Sequence, residues 1–516
     1  MHPFRRTQNI LFNTVSKSHK TSLRHSLYGS RFLSTKEQAP GLKPVSQYNI
    51  PKGILGQPTC HTHPHMIPAD HLTCGITQQE YKERRDTLVS KLAAEINNSY
   101  RTHIVVIPAA CKQYMSDKIP YVFRQNSDFY YLTGCLEPSA VLVLVKAAQT
   151  DNYKSILFVH EKDSHAELWE GPRTGCKLAS TLFAVDEARP VENLMPFLNK
   201  TAQTSKPSIL WYRKEEPANP EIHDNICSII RNDDAVTLAI PEKALHFMRV
   251  IKSPAEVELM KETCYIGAQS IHMAMACTRP GISEHLVNAV LDYSGRQAGA
   301  EHPAFPPVVA GGARATHIHY ITNNQILTDK DLLLVDSGTQ RWLYNSDISR
   351  TWPVSGKFNK HQRILYEIVL TVQKRLIQLL GEHRPSLDML FDHMCRLLGR
   401  HLQEEGILPK SISGNELITR AYKLCPHHVS HYLGLDVHDT PLVRRQTPVK
   451  TNMVVTVEPG IYIRPDDDMV PKEFRGVGIR VEDDVLITDG EPYNLTDSCA
   501  KEIDDIEAIV GKHAVS

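Results

Sequence analysis

Residues 332–352 read LLLVDSGTQRWLYNSDISRTW, and the fold of the second half of the chain turns on them. Leu332 to Asp336 is a short apolar run of strand length that ends on a carboxylate, and Tyr344 to Trp352 reads as a second strand with Asp347 near its start. Gly338 marks the intervening turn, which brings Asp336 and Asp347 side by side. Two adjacent buried carboxylates repel until one takes a proton or a cation sits between them, so the pair points to a metal.

Working outward, further carboxylates and imidazoles fit the same place. Glu458 closes an apolar strand over 453–458, just before Pro459 and Gly460. Arg480 and Glu482 stand two apart in GIRVEDD, read as one strand over 478–485, and a period of two sends both to one face. His431 lies in HHVSHYLGLDVHD, residues 427–439. Four carboxylates and one imidazole make a hard, oxygen-rich donor set suited to two divalent ions such as manganese, cobalt or zinc, without the thiolates of a structural zinc site. Taken singly, each element has a plainer reading. A lone aspartate at a strand end is usually a turn residue, Glu482 to Asp484 fits a solvated acidic edge, and the His427/His431 spacing lacks the glutamate of a zincin helix. The ordered combination is what carries weight.

The 516 residues are long enough for two to four domains with ample core. With 58 basic and 58 acidic side chains, the chain offers no broad phosphate-binding surface, and no nucleic-acid partner is expected. The longest apolar run, Ala140 to Val145, stops far short of the roughly 20 residues of a membrane span. Eleven cysteines without a CxxC read as reduced thiols of an intracellular compartment. The neutral total hides an asymmetry, because residues 1–36 hold seven basic side chains and no acid. The 58 basic residues less those seven leave 51 against 58 acidic, an acidic mature chain. This leader is cationic and rich in Ser and Thr, with Arg31 just upstream of Ser34 and Thr35, and resembles a mitochondrial transit peptide, residues 1–33; a basic tail without an address is the plainer alternative.

A Pro-rich linker or arm, expected to build no core, follows to residue 73. Over 74–250 a helix at 79–96 and strand-like runs at 103–107, 129–132, 140–145, 156–159 and 209–212 predict an α/β domain. A second unit starts near Ile251: Ser253-Pro254-Ala255-Glu256 has the capping-box spacing, Pro280-Gly281 stops that helix, and Ser283 caps the next. Helices at about 359–380 and 386–405 alternate with the strands already named, which predicts an α+β unit over 251–516.

Asp336, Asp347, His431, Glu458 and Glu482, framed by VHD, EPG and GIRVEDD, resemble the dinuclear aminopeptidases of pita-bread fold. FRQNSDFYYLTG at 123–134, ELWEGPR at 167–173 and PPVVAGG at 306–312 are similar to Xaa-Pro aminopeptidases, and with the leader they resemble the mitochondrial, intermediate-cleaving branch of that family. The resemblance runs from about residue 50 to the C-terminus. It implies an α/β amino-terminal domain, a pita-bread catalytic domain, and two divalent ions, manganese first, held by those five residues. Asp347 would be bidentate, Asp336 and Glu482 bridging, and Glu458 both ligand and proton acceptor. His438 would meet the substrate carbonyl and its oxyanion, His319 and His427 the leaving-group side, and Arg480 would orient Glu482. Phe305, Val437 and His427 would wall the proline site. Phe305 stands where relatives commonly have Tyr, and Ser430 where a glycine is expected.

The implied activity is release of one N-terminal residue from peptides with proline second, together with trimming of a bulky residue exposed after presequence removal. The substrates are peptide and protein N-termini, the chain is expected to be a homodimer, and its place is the mitochondrial matrix, with a cytosolic form open. A prolidase-like dipeptidase and a non-catalytic binding protein on the same fold remain as alternatives.

Overall fold

A computed structural model describes residues 50–96, 100–215, 217–231 and 234–512. The leader, with its presequence reading, lies outside the described residues.

The amino-terminal domain is built on a six-stranded mixed sheet. Its strands are β1 (Thr102–Pro108), β2 (Val141–Lys146), β3 (Lys154–Val159), β4 (Glu187–Pro190), β5 (Ser208–Trp211) and β6 (Val236–Ala239), in the order β4-β3-β2-β1-β5-β6. β1 is apolar on both faces because both are covered: Val105 and Ile107 pack into one core cluster, Ile104 and Val106 into another. Helix α1 (Gln78–Glu95) starts at the Thr77 cap and buries Tyr81, Leu88 and Leu92, which share one helical stripe.

The run at 129–132, read from sequence as a strand, lies instead in helix α2 (Ser127–Thr133). Local capping outweighs the β-propensity of its aromatics. The Asn126 side chain accepts from the Phe129 amide, and Gly134, at φ 65°, closes the helix in the left-handed region. Two buried arginines of α1 finish the cap: Arg84 donates to the Tyr131 carbonyl at 3.1 Å and Arg85 to the Leu132 carbonyl at 2.8 Å, cations at a helix C-terminus.

The Pro-rich stretch, expected to build no core, does so from residue 50 onward. Ile50, Leu55, Ile67 and Leu72 are buried in the same cluster as α1 and α2. That cluster runs on into Met260, Tyr344, Leu433 and Leu435 of the second unit, so the two domains share apolar packing.

Helix α3 (Glu242–Arg249) leads into α4 (Pro254–Cys277), whose capping box forms as the sequence predicts: Ser253 Oγ accepts from the Glu256 amide and Glu256 returns a carboxylate to the Ser253 amide. Ser283 caps α5 (Glu284–Gln297). An antiparallel sheet of β7 (Val308–Gly311), β8 (Leu332–Ser337) and β9 (Ile348–Pro353) follows. Helices α6 (Lys360–His383) and α7 (Leu387–Glu404) match the predicted spans closely, and a third, α8 (Gly414–Leu424), went unread in the sequence.

Two predicted strands are each broken in two. Tyr344–Asn345 pairs with Thr339–Arg341, the chain steps out at Ser346 and Asp347, and β9 then pairs with β8. Likewise 478–485 divides into β12 (Val477–Arg480), on β11 (Gly460–Ile463), and β13 (Asp483–Leu486), on β10 (Val454–Val457). Arg480 and Glu482 therefore do not share one continuous strand. Both breaks lie at carboxylates, Asp347 and Glu482, where pairing passes from one partner to another.

Candidate metal centre and active site

The β8–β9 turn does what the sequence suggested, for a specific steric reason. The Ser346 amide donates to the Thr339 carbonyl, and the chain there passes so close to Gly338 that a Cβ on that glycine would lie 1.9 Å from the Ser346 carbonyl oxygen. Only glycine permits that approach, and it brings Asp336 and Asp347 to one place. Phe305 packs on the same turn, its ring edge 3.0 Å from that position.

Asp347, His431 and Glu482 converge into a group that can hold a metal ion, one ligand atom from each lying within 4.8 Å of the others. Ser349 Oγ donates to Glu482 at 2.6 Å, and the Asp347 amide donates to Asp484 at 3.0 Å. His431 Nδ1 donates to the Tyr432 carbonyl at 3.1 Å, which puts the proton on Nδ1 and leaves the Nε2 lone pair facing Asp347 (3.4 Å) and Glu458 (3.7 Å). Asp336 borders the group: one oxygen accepts from Arg480 at 2.6 Å, while the other is buried without a hydrogen-bond partner among the described residues.

This donor set fits divalent ions. Lone pairs face lone pairs, a carboxylate oxygen of Asp336 is buried without a partner, and among the described residues the Arg480–Asp336 pair is the one contact of a Lys or Arg with any of the four carboxylates. The same crowding pushes the Asp347 and Glu482 carboxyls well above the usual range, through burial first and then the neighbouring carboxylates; Glu458 is raised as well, chiefly by burial.

Beside the carboxylates a chain of donors runs outward. Arg480 Nη1 donates to the Tyr462 hydroxyl at 2.7 Å, and the hydroxyl donates on to His427 Nε2 at 2.9 Å. His427 Nδ1 in turn donates to the His428 carbonyl at 2.9 Å. Burial first, then Arg480, holds His427 down at about 4, so it is neutral near pH 7. Arg480 Nε also donates to Ser349 Oγ at 2.7 Å, so Arg480 and Glu482 share that serine although they belong to different strands. The expected link from Arg480 to Glu482 is therefore indirect.

His438 stands edge-on to the His431 ring, centroids 4.5 Å apart, and desolvation in the cleft first, then the neighbouring His431 ring, lowers it to about 4. Val437 is half-buried beside it. His319 is exposed, on a loop pinned by Glu284. That fully buried carboxylate accepts from the Gly311 and Gln325 amides, Arg314 and the Tyr320 hydroxyl. A cavity of about 470 Å³ opens beside His431 and His438, lined also by Asp388, Tyr432 and Arg444. A larger one, about 680 Å³, lies in the amino-terminal domain between α1 and the sheet and contains none of these residues.

Three side chains here escaped the sequence reading: Ser349, Tyr462 and Glu284. Ser349 and Tyr462 sit in strands where alternation predicts only orientation, and Glu284 looks like any first-turn acid of a helix. Asp483 and Asp484 are not a solvated edge but fully buried. Arg350 and Lys501 hold Asp483 well below the usual carboxylate range, while burial raises Asp484 to about 7. Ser430 is also fully buried, its hydroxyl without a partner among the described residues.

Residues 258–489 match metallopeptidase family M24, and residues 81–211 match the aminopeptidase P N-terminal domain. Xaa-Pro aminopeptidase 3 of Homo sapiens is 39% identical over 91% of this chain and 93% of its own length. The chain belongs to metallopeptidase family M24. Within M24 it is similar throughout to intermediate-cleaving relatives. Intermediate cleaving peptidase 55, mitochondrial, of Arabidopsis thaliana is 35% identical over 89% of this chain and 88% of its own. The crystal structure of Icp55 from Saccharomyces cerevisiae superposes with a TM-score of 0.76 at 34% identity, over 86% of this chain and 99% of that one. This M24 chain is thus a metallo-aminopeptidase of the Xaa-Pro type, with an α/β amino-terminal domain and a pita-bread catalytic domain, and among the described residues no helix is long and apolar enough to cross a membrane.

Proposed function

We propose that this M24 enzyme releases the N-terminal residue from peptides with proline second and, in mitochondria, trims a bulky residue left after presequence cleavage. The observation that carries the reading is the convergence of Asp347, His431 and Glu482, with Asp336 and Glu458 at its edge, in a chain that carries an aminopeptidase P amino-terminal domain. Those five residues would hold two divalent ions, manganese first, which when bound acidify water and polarise the scissile carbonyl. Glu458, raised by burial and 3.6 Å from His427, is placed to take a proton from the attacking water. His438, neutral beside His431, donates to the carbonyl oxygen as negative charge grows there. The Arg480–Tyr462–His427 chain fixes the His427 ring, which with Phe305 and Val437 offers the flat and apolar walls that a proline ring, lacking an N–H, requires. His319 stands on the leaving-group side. Xaa-Pro-Xaa tripeptides should be cut to free Xaa, and mitochondrial proteins from cells carrying Glu458→Ala should keep one extra N-terminal residue. Turnover confined to Xaa-Pro dipeptides would favour a dipeptidase instead, and unchanged N-termini would remove the trimming role.

The assembly proposed is a homodimer through the amino-terminal domain. The hairpin of Tyr114–Ser116 and Ile119–Pro120 and the chain just after it leave Tyr114, Met115, Ile119, Tyr121 and Val122 52–78% exposed, next to Leu168 and Trp169 at 77%, with Lys112 tied to Glu170 at 3.2 Å between them. Light scattering should report twice the chain mass, falling to one chain in a Tyr121→Glu/Trp169→Glu variant; a wild-type mass of one chain refutes the dimer.

A further inference from the structure

The loop that carries Val437 and His438 is bracketed by two aspartates, and neither touches the metal cluster. Asp436, immediately before Val437, accepts from Ser127 Oγ at 2.7 Å, from Arg124 at 3.1 Å and from Arg249 at 2.7 Å. Asp439, immediately after His438 and 4% exposed, accepts from Arg249 and from Lys252 at 3.1 Å. Arg249 itself, 3% exposed, reaches a third carboxylate, Asp128 of α2, at 2.7 Å. Three cations thus meet three carboxylates in a largely buried network, and Arg249 at its centre is bonded to all three acids. Arg124, Ser127 and Asp128 belong to the amino-terminal domain, and Arg249 ends the helix that joins it to the catalytic one. Asn345, two residues before Asp347, holds the start of the loop through the Gly434 and Leu435 carbonyls.

We propose that Arg249 is a positioning residue for the reaction: it clamps the 434–439 loop by both flanking aspartates, and so places Val437 and His438 over the metal cluster. Through Asp128 the clamp makes the seating of the amino-terminal domain part of the active site. The physical basis is that a buried guanidinium fork fixes direction as well as charge. Without it three carboxylates share two cations, and the loop between two of them is free to shift. A displacement of about 1 Å at a reacting group costs on the order of a hundredfold in rate. The proposal rests on the reading of His438 as the group that meets the substrate carbonyl.

The test uses the full-length, manganese-loaded enzyme with Arg249→Met, Arg249→Lys and the milder rim variant Ser127→Ala, which keeps every charge. The expected result for Arg249→Met is a fall of about a hundredfold in kcat on an Xaa-Pro-Xaa peptide, with KM changed less and metal content unchanged. Arg249→Lys should recover part of it, and Ser127→Ala should cost several-fold. Hydrogen exchange should quicken at amides 434–439 and not in strand 454–457. Unchanged kcat and unchanged loop exchange in Arg249→Lys and Ser127→Ala overturn the clamp, as does a loss that merely follows global melting or metal release. A wild-type enzyme silent on Xaa-Pro peptides would sink the functional reading instead, and loop exchange would then decide the clamp by itself.

Discussion

Replacing Asp347 by Asn should abolish turnover while making the metal-free protein more stable. Asp347 is 5% exposed, its amide is fixed by Asp484, and its carboxylate lies against His431 and the charges of Asp336 and Glu458. Without metal, that carboxylate is one of several negative groups in a space too dry to screen them, and a neutral isostere removes repulsion without changing shape. With metal, the same substitution deletes an anionic ligand. Loss of several kcal/mol of charge stabilisation in the transition state corresponds to a fall in kcat/KM on the order of a thousandfold. Tripeptide kinetics, elemental analysis and melting with and without chelator read all three effects. Full activity and metal content in Asp347→Asn would contradict the site.

Chelation should produce the second large effect, and its pH dependence has a definite sign. Asp347, Glu458, Glu482 and Asp484 all have folded-state values above those of unfolded carboxylates, so the metal-free fold binds protons more tightly than the unfolded chain does. The stability this confers is complete below the unfolded values, near pH ~4, and is lost as pH rises through the folded ones. For Asp484 that window ends at about 7. Divalent ions would replace the protons on Asp347, Glu458 and Glu482, so metal affinity should rise with pH and the metal-bound fold should be spared that part of the loss. The gap in Tm between loaded and chelated enzyme should therefore widen from about pH 5 to about pH 8. At a thousandfold excess of free metal over its Kd the stabilisation is about 4 kcal/mol. A gap that narrows over that range would mean that Asp347, Glu458 and Glu482 do not share a cation.

Much of the site was legible because its chemistry is local in sequence. Asp336 closes an apolar strand, Gly338 marks the turn, Glu458 precedes Pro-Gly, and each signal survives without knowledge of neighbours. Helix starts at Ser253 and Ser283 were readable for the same reason, since a cap is made within four residues. The strand reading failed at 129–132 because Asn126 and Gly134 set helical ends around aromatics whose own preference is extended. It failed again at 346–347 and 481–482, where the chain changes partner strands and no local pattern records the handover.

The sequence alone therefore determined which residue types could bind metal, their order, the two-domain class and the acidic balance of the chain beyond residue 36. Tertiary structure decided which of those residues meet. It leaves Asp336 shared with Arg480, joins Arg480 to His427 through Tyr462, buries Asp483 and Asp484, and hangs the His438 loop from an arginine nearly two hundred residues away. The physical reason is that ligand chemistry belongs to single side chains, whereas charge pairing and burial depend on groups brought together only by packing.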